Sequence, residues 1–364
     1  MTSLRWLAVI VLGIVVGVGS TILYQRWAAS SDELVVPFIT PAPSPKPLLA
    51  YAIPALQQRT YVPRQITVES VAEDTVDFTS YVVSFQPLDK RMTALMNVPK
   101  PLPATAAAVV MLRGYAPPEG YVSGTGSRNS SRALARAGFV TIAPDFFGYG
   151  DSDPEPTDSW QARFEKPIIV AELLAGLQEF PLFIPASLLD PTATTTQQIN
   201  LTSLGLWGHS NGGQIALTTL EILHQPIPTV LWAPVTAPFP YSILFFSDEY
   251  ADEGKETRKW LSILERDYDV LDFSLTQHLG SLRGYIQLHH GTADEAALKT
   301  WSDEFLAKVE LENQRRDELA ATDSAALSPV EVEYFVYPGA DHNLTPGWDV
   351  AMSRTATFFS DKLR

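Results

Sequence analysis

The 364-residue chain contains no cysteine. Disulfide bonds, thiolate catalysis and cysteine-ligated metal sites are therefore excluded. Histidine is scarce as well, with six residues in the whole chain. Chemistry that needs an imidazole therefore has few candidates in this sequence.

Positive charge is also in short supply. The chain has 26 lysine and arginine residues against 41 aspartate and glutamate residues, which gives a net charge of −15 at pH 7. No cluster of basic residues stands out, and this argues against a nucleic-acid partner because phosphate binding needs a basic face. Hydrophobic residues make up 46% of the sequence, enough for a sizeable core.

The N-terminal segment predicts a membrane anchor. No charged residue occurs from Trp6 to Tyr24, and a helix of that length spans roughly 28 Å, close to the thickness of a bilayer core. Arg5 precedes the stretch, whereas Asp32 and Glu33 follow it. The positive-inside rule therefore favours a cytoplasmic N-terminus and an extracytoplasmic body. A cleaved signal peptide and a buried cytosolic helix are the alternatives.

A proline-rich linker is predicted after the anchor. Six prolines lie between Pro37 and Pro54, and proline fixes φ and lacks the amide donor, which favours an extended spacer. We therefore predict a membrane anchor over residues 1–27, a linker over 28–58 and one folded domain over 59–364.

The folded domain has the pattern of an α/β protein. Three strand-like runs open it, and short apolar strands then alternate with helical stretches, which is typical of a mostly parallel sheet covered on both faces. Between residues 238 and 284 the alternation stops, and this segment predicts a small helical cap inserted between two strands. The predicted strands are Ile66–Val71, Tyr81–Gln86, Met92–Val98, Ala107–Leu112, Phe139–Ala143, Leu204–Trp207, Thr229–Trp232, Tyr285–His290 and Val330–Tyr337.

The sequence Gly208-His209-Ser210-Asn211-Gly212 fits the pattern G-x-S-x-G. A predicted strand precedes it and a predicted helix follows it, so that the serine would stand on a sharp turn with its hydroxyl projecting from the sheet. This context makes Ser210 the candidate nucleophile. A glycine-rich turn with a solvated serine is the alternative.

A serine hydroxyl needs a base, and the base needs a carboxylate to orient it. Asp294 and His342 each follow a predicted strand, in the order Ser, Asp, His along the chain. His342 is the only histidine after Asp294, and parallel strands bring such loops to one edge of the sheet. We predict Asp294 as the acid and His342 as the base, with Glu295 as a rival carboxylate.

The oxyanion needs two donors. We predict the backbone N–H of Asn211, at the start of a helix, and that of Tyr115, in the loop after strand Ala107–Leu112. Four charged residues could bind a charged end of a substrate, although surface charge is the expectation for each. They are Arg113, Arg163, Glu165 and Glu172.

Over residues 61–364 the chain resembles the α/β-hydrolase superfamily. Its three site loops, Gly208–Gly213, Gly291–Asp294 and Tyr337–His342, are similar to those of prolyl-oligopeptidase (S9) catalytic domains and dienelactone-hydrolase-like esterases. The resemblance implies an α/β-hydrolase fold and acyl transfer without a metal or organic cofactor. We expect no counterpart of the oligopeptidase propeller between the linker and the strand at Ala107, since too few residues lie between them for several four-stranded blades.

The resemblance leaves the scissile bond open between a peptide and a carboxylic ester. The expected partners are a small-molecule or short-peptide substrate and the membrane, and the sequence does not predict the oligomeric state. A hydrolase fold that has lost activity and serves as an interaction module is the third alternative.

Overall fold

The computed structural model describes residues 46–248, 251–323 and 327–364. The predicted membrane anchor and most of the predicted linker lie outside these residues. Among the helices that are described, none has both the length and the apolar character needed to cross a membrane.

Ten strands in this part of the chain form one mixed sheet, in the order β1-β2-β3-β5-β4-β7-β8-β9-β10, with β6 paired to β7. The strands are β1 Thr67–Asp74, β2 Phe78–Phe85, β3 Met92–Pro99, β4 Thr105–Leu112, β5 Val140–Pro144, β6 Leu182–Pro185, β7 Thr196–His209, β8 Thr229–Trp232, β9 Tyr285–Gly291 and β10 Glu331–Tyr337. In this order, neighbouring strands from β1 to β5 pair antiparallel. Neighbouring strands from β5 to β10 pair parallel. The predicted antiparallel opening and parallel body are both confirmed.

The central strands read as apolar runs because helices cover both of their faces. One hydrophobic cluster packs the sheet against the helices that carry Leu173, Leu217 and Phe305, and a second packs the opposite face against Leu134 and Phe359. The helices are α1 Ile53–Leu56, α2 Arg128–Arg136, α3 Ser159–Glu179, α4 Asn211–Leu223, α5 Ser242–Ser247, α6 Lys255–Asp267, α7 Lys299–Ala320 and α8 Trp348–Leu363.

Strand β6 and the first half of β7 were not predicted. They form an antiparallel pair in which Leu182 lies opposite Ile199. Most side chains of β7 before Leu204 are exposed or half-buried, and this polar stretch lacks the apolar run that predicts the other strands.

The predicted linker is wrong from Lys46 to Gln58. Residues Pro47–Tyr51 form a 3₁₀ helix and α1 follows it. Proline is compatible with the first turn of a helix, where its missing N–H has no partner to lose. Leu48, Ile53 and Leu56 are buried against the domain. The compact unit therefore begins at Lys46.

The predicted cap is helical. Between β8 and β9 the described residues contain α5, α6 and three short 3₁₀ helices and no strand. Phe239, Leu261 and Phe273 from this segment pack in one cluster with Trp160 and Phe164 of α3. Aromatic contacts therefore fasten the cap to α3, next to the edge of the sheet where the predicted site loops lie.

Candidate active site

Ser210 lies on the turn between β7 and α4 with φ 58° and ψ −123°. Non-glycine residues rarely occupy positive φ, and such strain concentrates at functional sites. Gly212 makes the tight turn possible, because a Cβ there would lie 2.0 Å from the carbonyl oxygen of Leu112. The geometry has the strained strand-to-helix form that the sequence motif predicts.

Neighbouring strands hold the backbone of this turn. The N–H of Ser210 donates to the carbonyl of Trp232, and the N–H of Val235 donates to the carbonyl of Ser210, both at 3.0 Å. Asn211 is the first residue of α4, whose N-terminus carries a partial positive charge from the aligned peptide dipoles. A negative charge that develops beside Ser210 would be stabilised there.

Asp294 and His342 are in direct contact. The Nδ1 atom of His342 lies 2.9 Å from Oδ2 of Asp294, and the Asp294 side chain is fully buried whereas that of His342 is 22% exposed. A carboxylate in this position fixes the imidazole so that Nδ1 carries the proton and Nε2 is free to accept one.

Further donors surround the carboxylate of Asp294. Its Oδ1 atom accepts hydrogen bonds from the N–H groups of Ala296 and Ala297, both at 2.9 Å, and Oδ2 lies 3.1 Å from Nε2 of His290. Burial by itself would raise the pKa of Asp294, but the bonds from His290, His342 and Ala297 outweigh it and hold the pKa well below its usual range. Asp294 therefore faces His342 as an ionised carboxylate near pH 7.

The sequence predicts that His290 ends a strand and gives it no role at the site. In the structure it is fully buried. Its Nδ1 lies 2.7 Å from the hydroxyl of Ser302, and its Nε2 lies 2.8 Å from the carbonyl of Ala297. A carbonyl only accepts, so the proton is on Nε2, which then also points to Asp294. The position four residues before the acid was the only sequence signal.

His209 supports the loop that carries His342. Its Nε2 lies 2.9 Å from the main-chain carbonyl of His342, and the two rings are 4.7 Å apart. Burial, aided by the neighbouring His342, lowers the pKa of His209 to about 4. His209 is therefore neutral near pH 7 and donates its Nε2 proton to that carbonyl.

The loop after β4 lies against the nucleophile. A Cβ at Gly114 would approach the Cβ of Ser210 to 2.8 Å, so this backbone can come close only because residue 114 is glycine. Tyr115 follows it and is 81% exposed. Ser210, Asn211 and Tyr115, three of the predicted site residues, line one cavity of about 560 Å³.

No hydrogen bond within the described part of the chain joins the Ser210 hydroxyl to His342. The residue before Ser210 connects the two loops, because the His209 side chain contacts the main-chain carbonyl of His342. Catalytic hydrogen bonds are often long in unliganded enzymes and tighten when the substrate binds.

The expectation of surface charge is wrong for Arg113, Glu165 and Glu172, which are all buried. The Arg113 guanidinium donates to the carbonyls of Gly114 and Asp145, both at 2.9 Å, and stacks 4.1 Å from the centre of the Tyr149 ring. It therefore braces the loop that approaches Ser210.

A second cavity, of about 720 Å³, lies behind His209 and is lined by Trp207, Trp232 and Trp348 together with residues of α2. Ser210 is not among its lining residues. Ser210 lines the smaller cavity instead.

Comparisons with known proteins agree with this architecture. A family model for the alpha/beta hydrolase fold matches residues 108–230. No curated protein sequence matches the chain. The solved structure of acetyl xylan esterase 1 from Thermoanaerobacterium sp. is similar at 15% identity, covering 87% of this chain and 95% of that one, with a TM-score of 0.54.

Two further solved structures extend the comparison. Acetyl xylan esterase from Paenibacillus sp. is 14% identical, with 87% of this chain and 96% of that one covered and a TM-score of 0.55. A dipeptidyl aminopeptidase IV-like protein from Bacteroides ovatus is 13% identical, covering 82% of this chain but 36% of that one, with a TM-score of 0.50. At these identities the likeness is one of fold.

Proposed function

We propose that the chain is a serine esterase of the α/β-hydrolase superfamily, whose nucleophile is Ser210. The observation that carries the proposal is the contact of 2.9 Å between His342 Nδ1 and Asp294 Oδ2, on the loops that follow β10 and β9. A buried anion that orients an imidazole beside a strained serine has the geometry of acyl transfer.

In the proposed reaction His342 Nε2 takes the proton of the Ser210 hydroxyl as its oxygen attacks the acyl carbon. The N–H groups of Asn211 and Tyr115 hold the resulting oxyanion. His342 then passes the proton to the departing alcohol, which leaves an acyl-enzyme on Ser210. His342 then deprotonates water as it attacks the acyl carbon, and passes this proton to the Ser210 oxygen as the carboxylic acid is released.

The charge of the cavity favours an ester over a peptide. Arg163 and Lys166 line it together with Ser210, and Glu155 is the acidic side chain in the same lining. A peptidase that binds the free amino end of a peptide would have to place an ammonium group near these cations, and like charges repel. We therefore prefer a carboxylic ester, and cleavage of short peptides is the second candidate.

The proposal is tested with Ser210→Ala. Hydrolysis of 4-nitrophenyl butyrate should fall by roughly 10⁴-fold or more, and labelling by a fluorophosphonate probe should disappear. The matched control is Ser262→Ala, which alters an exposed serine on α6 and should leave both readouts unchanged. Full activity of Ser210→Ala would overturn the proposal, and an inert wild-type protein would favour the interaction module.

The nature of the scissile bond is tested separately. The rates of Ser210-dependent cleavage are compared for an aminoacyl ester and the matching aminoacyl amide. An esterase cleaves the ester far faster, whereas a peptidase turns over both.

We also propose that residues 1–27 anchor the protein with the hydrolase domain outside the cytoplasm. Expression of the full chain and of residues 46–364, followed by membrane fractionation and protease treatment of intact cells, tests the proposal. Recovery of the full chain in the soluble fraction would contradict it.

A further inference from the structure

Arg163 carries a positive charge beside the nucleophile without a carboxylate to balance it. It lies on α3 and lines the cavity that contains Ser210. Its Nη1 atom lies 3.3 Å from the side-chain oxygen of Gln214 and 3.5 Å from that of Asn211, and both acceptors are neutral. Within the described residues, no acidic side chain lies within 4 Å of its guanidinium.

Other shielded arginines of the domain differ from Arg163. Arg64 pairs with Glu172 at 3.0 Å, and Arg316 pairs with Glu312 at 3.0 Å. The acidic residue nearest to Arg163 in sequence, Glu165, is bound instead by Tyr51 and Gln161. Arg113 also lacks a carboxylate partner, but backbone carbonyls accept from its guanidinium. The guanidinium of Arg163 has only the two neutral side-chain oxygens as hydrogen-bond partners among the described residues.

Lys166 adds a second cation to the same cavity. It lies one turn after Arg163 on α3, and its Nζ is 3.7 Å from a carboxylate oxygen of Glu155. Arg113 also lines the cavity, but backbone carbonyls already occupy its guanidinium. Two available cations thus share one carboxylate, in a protein whose net charge is −15.

This arrangement of charges is unfavourable by itself. Burial lowers the pKa of Arg163 to about 10. Burial also lowers the pKa of Lys166 to about 8, although Glu155 opposes that effect. A shielded cation without a counter-ion opposes folding, and unfavourable charges of this kind concentrate at functional sites. An anionic ligand would offset the cost.

We infer that the substrate is an ester that bears a second, free carboxylate, which Arg163 and Lys166 bind while Ser210 attacks the ester carbonyl. The inference rests on the proposed esterase function. An arginine fork matches a carboxylate with two parallel hydrogen bonds, and these charge-assisted bonds are stronger than neutral ones. Gln214 and Asn211 would hold the arginine in place while it binds.

The test compares anionic and neutral esters in matched pairs. The first pair is 4-nitrophenyl hemisuccinate and 4-nitrophenyl butyrate, with the charge on the acyl side. The second is 4-acetoxybenzoate and phenyl acetate, with the charge on the alcohol side. In at least one pair, wild-type kcat/KM should be higher for the anionic ester. In Arg163→Gln this preference should fall about tenfold to a hundredfold, the range expected for one charge-assisted hydrogen bond.

Two further variants keep the test decisive. Lys166→Gln should reduce the same preference, and it provides the test if Arg163→Gln does not fold. The control variant Arg258→Gln, which alters an exposed residue of the cap, should leave the preference unchanged. An absence of anionic preference in both pairs, or a preference that survives both cavity variants, overturns the inference. Failure of the esterase proposal is distinct, because Ser210-dependent hydrolysis of the neutral esters would then be missing as well.

Discussion

Nε2 of His290 lies 3.1 Å from Oδ2 of Asp294, the oxygen that His342 Nδ1 contacts at 2.9 Å. The catalytic carboxylate of the proposed mechanism is therefore held by two imidazoles. One is buried and tied to Ser302 and Ala297, and the other faces the reaction. Outer groups of this kind fix the geometry of the groups that react.

Asp294→Asn should abolish most of the activity while the fold persists. The amide can present its NH₂ group to His342 and favour the wrong tautomer, so kcat should fall by roughly 10⁴-fold. Steady-state hydrolysis of 4-nitrophenyl butyrate measures the loss, and circular dichroism checks the fold. Glu295→Gln, which alters the rival carboxylate, is the control. A larger loss in that variant would move the acid to Glu295.

Replacement of His290 should show that it positions Asp294 through its Nε2 proton. His290→Leu removes that donor and should lower kcat by roughly tenfold to a hundredfold, with KM little changed, since a small misplacement near the chemistry has such an effect. His290→Gln can supply an N–H from its amide and should recover part of the rate. Equal rates in the two variants, at equal thermal stability, would assign His290 a packing role alone.

Gly114→Ala should harm catalysis through the nucleophile. The added methyl group would meet the Cβ of Ser210 at 2.8 Å, and the shift that relieves this contact would misplace the serine and the adjoining donor. We expect kcat to fall by about 100-fold. Gly280→Ala is the matched control because its nearest neighbour would be 3.5 Å away. An unchanged kcat in Gly114→Ala would contradict this prediction, because it would show that the loop moves away from the added methyl group without displacing Ser210.

Glu221 should make the protein less stable as pH rises. It is fully buried in α4, and neither carboxylate oxygen has a hydrogen-bond partner among the described residues. Burial raises its pKa well above the usual value. Between the unfolded pKa, about 4.3, and the raised folded one, the folded state holds the extra proton. Stability therefore falls with pH over this window, by about 1.4 kcal/mol per unit.

The variant Glu221→Gln removes this titration. Urea unfolding between pH 4.5 and pH 8 should show its advantage over the wild type growing with pH. Glu310→Gln, which alters an exposed residue of α7, should follow the wild-type curve. Parallel curves for Glu221→Gln and the wild type would contradict the prediction.

Much of the fold was predictable because it depends on short-range patterns. Three strand-like runs at the start of the domain, and six apolar runs that alternate with helical stretches, predicted nine of the strands. The glycines around Ser210 predicted the tight turn. Parallel strands bring their carboxyl ends to one edge, so Asp294 and His342 were expected to meet, and they do. The prediction of an extended linker is wrong from Lys46 onward. Proline content alone cannot show that Leu48, Ile53 and Leu56 have a surface on which to pack.

By itself, then, the sequence determined the order of Ser210, Asp294 and His342 along the chain and marked them as the candidates for nucleophile, acid and base. Only the tertiary structure decided their surroundings. Contacts between separate elements decide four properties of the site. These are the burial of Arg113, the neutral state of His209, the link from His290 to Asp294 and the unbalanced charge of Arg163. Local patterns cannot specify such contacts, because a side chain's charge and hydrogen bonds are set by whatever the fold brings beside it.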